Sequence, residues 1–327
     1  MRYPWQVQQW QQLWSSFQAG RLPHALLLTG MSGTGKTAFA LHLTQALLCR
    51  NVMPAGDPCD ECHSCRLVKT EVHPNVYQVT PEKEGHAIKV DQIRELVTFV
   101  QQTSLQEGYR VVLIYPAHNM NINAANALLK TLEEPSTGAI LILVTDQISH
   151  LPATIRSRCQ QIQFPRPDQQ AALNWLQTQL PADKMQPEQW LRLAHGAPLL
   201  ALQLTQDEVM PLRDELLKSF HHLAEKRADP LTLAAKWQKI DPVKWLDLLL
   251  GWTADLIRLQ LGGHEHQLLN QDYAAALHAS SQRIPLQNNL QLMEQLLQTQ
   301  RQMSAGINFN KQLLMESLLI RWMGKTS

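Results

Sequence analysis

The sequence is poor in charge. Asp, Glu, Lys and Arg supply 17% of its 327 residues, against roughly a quarter in ordinary globular chains. Lys and Arg number 29 and Asp and Glu 28, a formal net charge of +1. A protein that binds nucleic acid with its whole surface needs a large positive excess, so that class is excluded, while a local basic patch is not. No aromatic-basic stripe offers a stacking platform for single strands either. No apolar run approaches the ~20 residues that cross a bilayer. The start, MRYPWQVQQW, has no apolar signal core. There is no fixed-period repeat. These absences lead to the expectation of a cytoplasmic globular chain of two or three domains. Hydrophobic residues at 44% suffice for their cores, and Gln takes over much of the polar surface.

Two kinds of pattern follow one another along the chain. Up to about residue 165, short apolar runs alternate with helical text. Trp10, Leu13, Trp14 and Phe17 fall at helical spacing, as do Val90, Ile93, Val97 and Val100. Runs over 25–28, 76–80, 110–116 and 139–145 read as strands, and 152–164 as a short helix with a final strand. A further helix is expected over 123–135, stopped by Pro135. Strands that are apolar throughout and alternate with helices predict an α/β fold, a parallel sheet with helices on both faces. The stretch FPRPDQQ then reads as a hinge. Beyond it a small helical unit is expected over 166–207 and a larger all-α domain over 208–327. In the last helix, read over 307–323, Leu313, Leu314, Leu318 and Trp322 are expected to share one face, a stripe for the core or for a partner.

The segment GMSGTGKTAFA fits the phosphate-loop pattern G-x-x-x-x-G-K-[ST] through Gly30, Gly35, Lys36 and Thr37, with Gly33 between. The glycines let the backbone turn its N–H groups toward a phosphate. Lys36 would reach the outer phosphates, and Thr37 would offer a hydroxyl to Mg²⁺. The loop can also persist as a helix-capping turn without nucleotide. Hydrolysis needs in addition an acid at the end of a neighbouring strand. At the end of RVVLIYP stand Tyr115 and Pro116, followed by His118, a poor ligand for Mg²⁺. Asp146, at the end of the next strand, is the remaining nearby acid, while Glu133 and Glu134 are expected to flank a helix and face solvent.

Cys49, Cys59, Cys62 and Cys65 give the spacing C-x9-C-x2-C-x2-C. Four thiolates complete a closed tetrahedral Zn²⁺ shell, the arrangement of structural sites, and leave no open position for chemistry. His63 is the rival ligand. Free buried thiols or disulfides are the other reading, and a reducing compartment disfavours disulfides. Cys159 stands apart and reads as a small buried hydrophobe.

GMSGTGKTAFA, CDECHSC, VVLIYPAHNM, NALLKTLEEP and IRSRC occur in this order. With them the chain resembles the AAA+ clamp-loader subunits of bacterial DNA polymerase III. It resembles the delta-prime kind more than the tau/gamma motor kind. The motor kind has an acidic pair where Tyr115 and Pro116 stand, and an Arg in the lid where this chain has Leu199. The resemblance implies an AAA+-type domain over 1–165 with a zinc module at 49–65, a helical lid over 166–207 and a collar domain over 208–327. It implies a stator that hydrolyses no ATP within a pentameric hetero-oligomer with tau/gamma and delta. That assembly loads the sliding clamp onto primer-template DNA, and this chain touches the clamp indirectly and DNA through the complex. Arg158 would be the arginine finger entering a neighbour's ATP site, with Arg156 the less well matched candidate and an intrachain ion pair the competing reading. ATP binding is left open by the intact loop. The alternatives are an active tau/gamma-like ATPase and a zinc-containing nucleic-acid-binding regulator.

Overall fold

Five short strands form one parallel sheet in a computed structural model of the chain, which describes residues 2–83, 85–101, 108–181, 186–206, 209–304 and 310–323. The expected boundary at 207–208 and residues 307–309 of the last expected helix lie outside the described residues. The strands are β1 (Ala25–Thr29), β2 (Val76–Val79), β3 (Arg110–Ile114), β4 (Ala139–Thr145) and β5 (Gln160–Gln163). Their order is β2-β3-β4-β1-β5. β1, β3 and β4 are buried at every position, which explains their unbroken Leu, Ile and Val.

Successive residues of these strands enter opposite cores. Leu27, Val112, Ile114, Leu141 and Leu143 pack on α4 (Val90–Gln101) and α5 (Ile122–Glu133). Leu26, Leu28, Val111, Leu113 and Ile142 pack on α1 (Val7–Gln18) and α2 (Lys36–Leu48) through Trp10, Leu13, Phe39 and Leu43. Helices therefore cover both faces, as the pattern requires. The side chain of Asn121 caps α5 by accepting the Ala124 N–H at 2.8 Å. The strand expected over 110–116 stops at Ile114, because Pro116 has no N–H for a ladder. A helix that periodicity did not reveal, α3 (His63–Lys69), follows the cysteine loop, with Cys62 at its N-cap.

After β3, α5 and β4 comes the single turn α6 (Ala153–Arg156), then β5. Three more helices follow: α7 (Gln169–Gln179), α8 (Pro187–Leu193) and α9 (Pro198–Gln206). The chain divides into two compact units within α9, Met1–Leu202 and Gln203–Ser327. The second unit contains α10 (Val209–Ala224), α11 (Pro230–Trp237), α12 (Pro242–Gln260), α13 (Ala274–Arg283), α14 (Leu286–Ser304) and α15 (Lys311–Met323). Its core is aromatic: Phe220 stacks on Trp322 at 4.2 Å and meets Trp252 edge-on at 6.4 Å. The face expected in α15 matches the buried one only in part. The buried face is Met315, Leu318, Leu319 and Trp322, the i, i+3, i+4, i+7 set, and Leu313 is 63% exposed on the opposite side.

Candidate phosphate-binding site and metal centre

The register of β1 and β4 builds the first site. Thr29 lies opposite Thr145, so the loop that follows β1 and Asp146, which follows β4, share the carboxyl edge of the sheet. Open α/β sheets place ligands at that edge. Gly35 caps α2 from the left-handed region at φ 84°, and Gly33 sits at φ 74°. Neither could carry a side chain. A Cβ on Gly33 would stand 2.7 Å from Cβ of Leu200, and one on Gly35 would stand 2.5 Å from the Tyr3 ring.

The chain's own segments grip this loop from two sides. Trp5 Nε1 donates to the carbonyl of Thr34 at 3.0 Å. Gln6 Nε2 donates to the carbonyls of Thr34 at 2.9 Å and Gly35 at 3.1 Å. Tyr3 stacks on Trp5 at 5.1 Å, and both rings meet Trp175 of α7 edge-on at 5.5 Å. From the other side the Leu199 N–H donates to the carbonyl of Gly33 at 3.1 Å. Leu199 thus meets the loop through its backbone, where a motor subunit would present an arginine. Sequence reasoning missed the role of Tyr3, Trp5 and Gln6; aromatic residues and Gln near the start were the only visible signal.

Lys36 is buried, with its side chain 3% exposed. Its Nζ donates to the carbonyl of Met31 at 2.6 Å and pairs with Oδ1 of Asp146 at 2.6 Å. Burial lowers its pKa, and the hydrogen bond to Asp146 works against that shift. Thr37 is half-buried one residue on. At the end of β3, Tyr115 donates its hydroxyl to Oε1 of Gln78 at 3.0 Å, and burial raises its pKa. It remains a neutral phenol. His118 Nδ1 lies 3.1 Å from Oγ1 of Thr145, and burial holds its pKa below the usual range. The edge has the shape of a phosphate cradle, and β3 brings no carboxylate to it.

The four cysteines expected to bind metal converge. Their sulfurs all lie within 4.8 Å of one another. Cys49 and Cys59 are 3.5 Å apart, and Cys59 and Cys65 3.9 Å. A zinc tetrahedron with Zn–S bonds of about 2.3 Å sets sulfurs about 3.8 Å apart. Backbone N–H groups point at the sulfurs: Cys62 N lies 3.3 Å from Cys59 Sγ, and Cys65 N 3.4 Å from Cys62 Sγ. Burial would raise the Cys62 thiol, but the N–H groups of Arg50 and Cys65 outweigh it and bring the thiol down to about 6. His63 is exposed and outside the cluster.

Two polar clasps hold this module, and neither was foreseen. Asp57 accepts Arg2 Nε at 2.7 Å and lies 2.8 Å from His42 Nε2. Asn75 N–H donates to His73 Nδ1 at 3.0 Å, which leaves the ring proton on Nε2, 2.8 Å from Ser64 Oγ. The imidazole therefore donates to Ser64. It is a tie between α3 and the start of β2, and no base for a serine nucleophile.

Arg158, expected to act on a neighbour, is held within the chain. Its Nε donates to Glu133 Oε1 at 2.8 Å, its second terminal nitrogen lies 2.5 Å from the same oxygen, and NH1 donates to the Thr154 carbonyl at 3.0 Å. Glu133, expected to flank a helix and face solvent, ends α5, is half exposed, and is its partner. The side chains are 34% and 49% exposed, so the pair sits at the surface. Arg156 is half-buried, and no hydrogen bond reaches its Nε. Cys159 is buried, and burial pushes its thiol up to about 11, as suits a small core residue.

Strand order, the glycine loop between β1 and α2, and the place of that loop at the carboxyl edge of the sheet define an AAA+-type phosphate-loop fold. The family described as "DNA polymerase III, delta subunit" matches residues 5–168, and "DNA polymerase III, delta subunit, C terminal" matches residues 208–324. DNA polymerase III subunit delta' of Pseudomonas aeruginosa is 37% identical over 321 residues, covering 98% of this chain and 97% of that protein. DNA polymerase III subunit tau of Bacillus subtilis is 34% identical over 169 residues, 52% of this chain and 29% of that protein. The crystal structure of a gamma-subunit-related protein of Thermotoga maritima aligns with a TM-score of 0.41 at 18% identity, covering 90% of this chain and 99% of that one. The chain belongs to the delta' family of DNA polymerase III subunits. Among the described residues no helix is long and apolar enough to cross a membrane.

Proposed function

We propose that the chain is a clamp-loader subunit that hydrolyses no ATP itself and lends Arg158 to the ATP site of a neighbouring subunit. The observation that carries the first half is the end of β3, where Tyr115 and Pro116 replace the carboxylates that hold Mg²⁺ and position water. The near-full-length match to delta' of Pseudomonas aeruginosa, against a match to tau over half of this chain, supports the delta'-like reading. In this reading the helices over 166–207 form the lid. The domain over 208–327 joins a pentameric collar with tau/gamma and delta subunits, which load the sliding clamp onto primer-template DNA during replication. Cys49, Cys59, Cys62 and Cys65 hold one structural Zn²⁺, for which their spacing and N–H···S bonds are suited. Gly30, Gly33, Gly35, Lys36 and Thr37 are the groups that would hold the phosphates of a bound ATP.

Arg158 is suited to act in trans because its ion pair is at the surface and solvent-screened, so its release costs little. A guanidinium that stabilises the γ-phosphate at one site is worth roughly 10³–10⁵ in rate there. Arg158→Ala should leave assembly intact, lower the DNA-stimulated ATPase of the reconstituted loader and slow clamp loading. Other sites keep their own arginines, so the residual ATPase can be large while coupled loading falls further. Arg158→Lys should rescue poorly, because an ammonium lacks the planar fork. Normal assembly with unchanged ATPase and loading would make Arg158 a structural residue and end this assignment.

A further inference from the structure

We propose that Asp146 is an internal counter-anion that holds Lys36 in place of a nucleotide phosphate, so that the loop is closed on itself until a polyphosphate displaces the carboxylate. The register of β1 and β4 sets Asp146 directly beside the loop. Lys36 lies beneath it, 3% exposed, while the Asp146 side chain is 35% exposed at the rim. A buried ammonium requires a partner of opposite charge. Asp146 supplies it at 2.6 Å, and the carbonyl of Met31 takes a second proton at 2.6 Å.

The rest of the loop is sustained in the same way, by the chain itself. Trp5 and Gln6 occupy the carbonyls of Thr34 and Gly35, and Leu199 occupies that of Gly33. The cradle therefore keeps its shape with no anion from outside. An arriving triphosphate meets two obstacles of one origin: it must take Lys36 from Asp146, and it must then lie beside a carboxylate of its own sign. Charge on both sides of the exchange makes the barrier salt-dependent. This proposal concerns the phosphate loop alone and stands or falls apart from the role of Arg158.

The test is a fluorescence titration of the full chain with an N-methylanthraniloyl ATP analogue, with and without Mg²⁺, at fixed ionic strength. Asp146→Asn is expected to bind at least ~10-fold more tightly than the wild-type chain, since it removes a like charge and frees Lys36. The gain should appear without Mg²⁺ and should shrink when both chains carry Lys36→Ala, to the part that comes from removing a like charge. With no nucleotide present, Asp146→Asn should melt a few degrees lower, because a buried ammonium has lost its partner. Equal affinity in the two chains overturns the proposal. So does weaker binding of the variant confined to Mg²⁺, which would make Asp146 a metal ligand, and so does a gain that Lys36→Ala leaves undiminished. Circular dichroism checks the fold of each variant, and Asp146→Ser carries the same comparison if Asp146→Asn does not fold.

Discussion

If Arg158 acts in a neighbour's site, Glu133 sets how readily it is released, and removal of that carboxylate has a calculable effect. The two side chains are 34% and 49% exposed, with nitrogens 2.8 and 2.5 Å from one carboxylate oxygen. Exposed ion pairs of this kind contribute ~0.5–1 kcal/mol after screening. Glu133→Gln keeps the size and removes the charge, so global stability in urea should change by less than about 1 kcal/mol. If Arg158 must be freed before it reaches a neighbour, the same energy is a tax on its working population. Lifting it raises the rate at the one site that Arg158 serves by roughly two- to fivefold, and the DNA-stimulated ATPase of the whole loader by less, since the other sites keep their own arginines. The rise should shrink at high salt, where the pair is already weak. The assay compares steady-state ATPase of loaders built with wild-type, Glu133→Gln and Arg158→Ala chains at two salt concentrations. If Glu133→Gln lowers the rate as far as Arg158→Ala, the carboxylate aims the guanidinium at its target, and the reasoning from storage and release is refuted.

Two further outcomes follow from the metal centre and from His118. Elemental analysis of the purified chain should find about one zinc per chain, lost in Cys62→Ser, and a strong chelator should lower the melting temperature. Four free thiols and no metal after reducing purification would refute the zinc assignment. Burial holds the pKa of His118 below its ordinary value of about 6.5, so the unfolded chain takes up the proton first as pH falls. The stability of the neutral, buried ring is present above about pH 6.5 and is lost as pH drops toward the folded pKa. Urea unfolding between pH 7 and 5 should show His118→Gln flattening that loss by at most ~1.4 kcal/mol per pH unit; an unaltered slope would contradict it.

Much of the first unit was legible because its strands are buried on both faces and their apolar runs have no other use. The cysteine spacing was equally legible, since x2 spacings force sulfurs onto one turn. What the sequence hid were contacts between distant segments. Lys36 and Asp146 are far apart in the chain and meet only because β4 lies beside β1. The clasps of Arg2 on Asp57 and His73 on Ser64 have the same character. In α15, four apolar residues at positions 313, 314, 318 and 322 offered one face, but Met315 and Leu319 offered a better one. Helical periodicity leaves such ties to be decided by the rest of the core. Arg158 showed its residue type and place, and the carboxylate that holds it went unread because Glu133 is equally at home in solvent.

The grip on Gly33 and Gly35 bears on how such a loop ages. A methyl group at either position collides with Leu200 or with the Tyr3 ring before any ligand is considered. Drift away from glycine is therefore blocked by the fold, whether or not a nucleotide ever arrives. Glycine is held at these two positions for as long as the first residues and the helix that carries Leu200 stay docked on the loop. In this chain docking by itself is enough to hold Gly33 and Gly35, so the presence of these glycines is no measure of turnover.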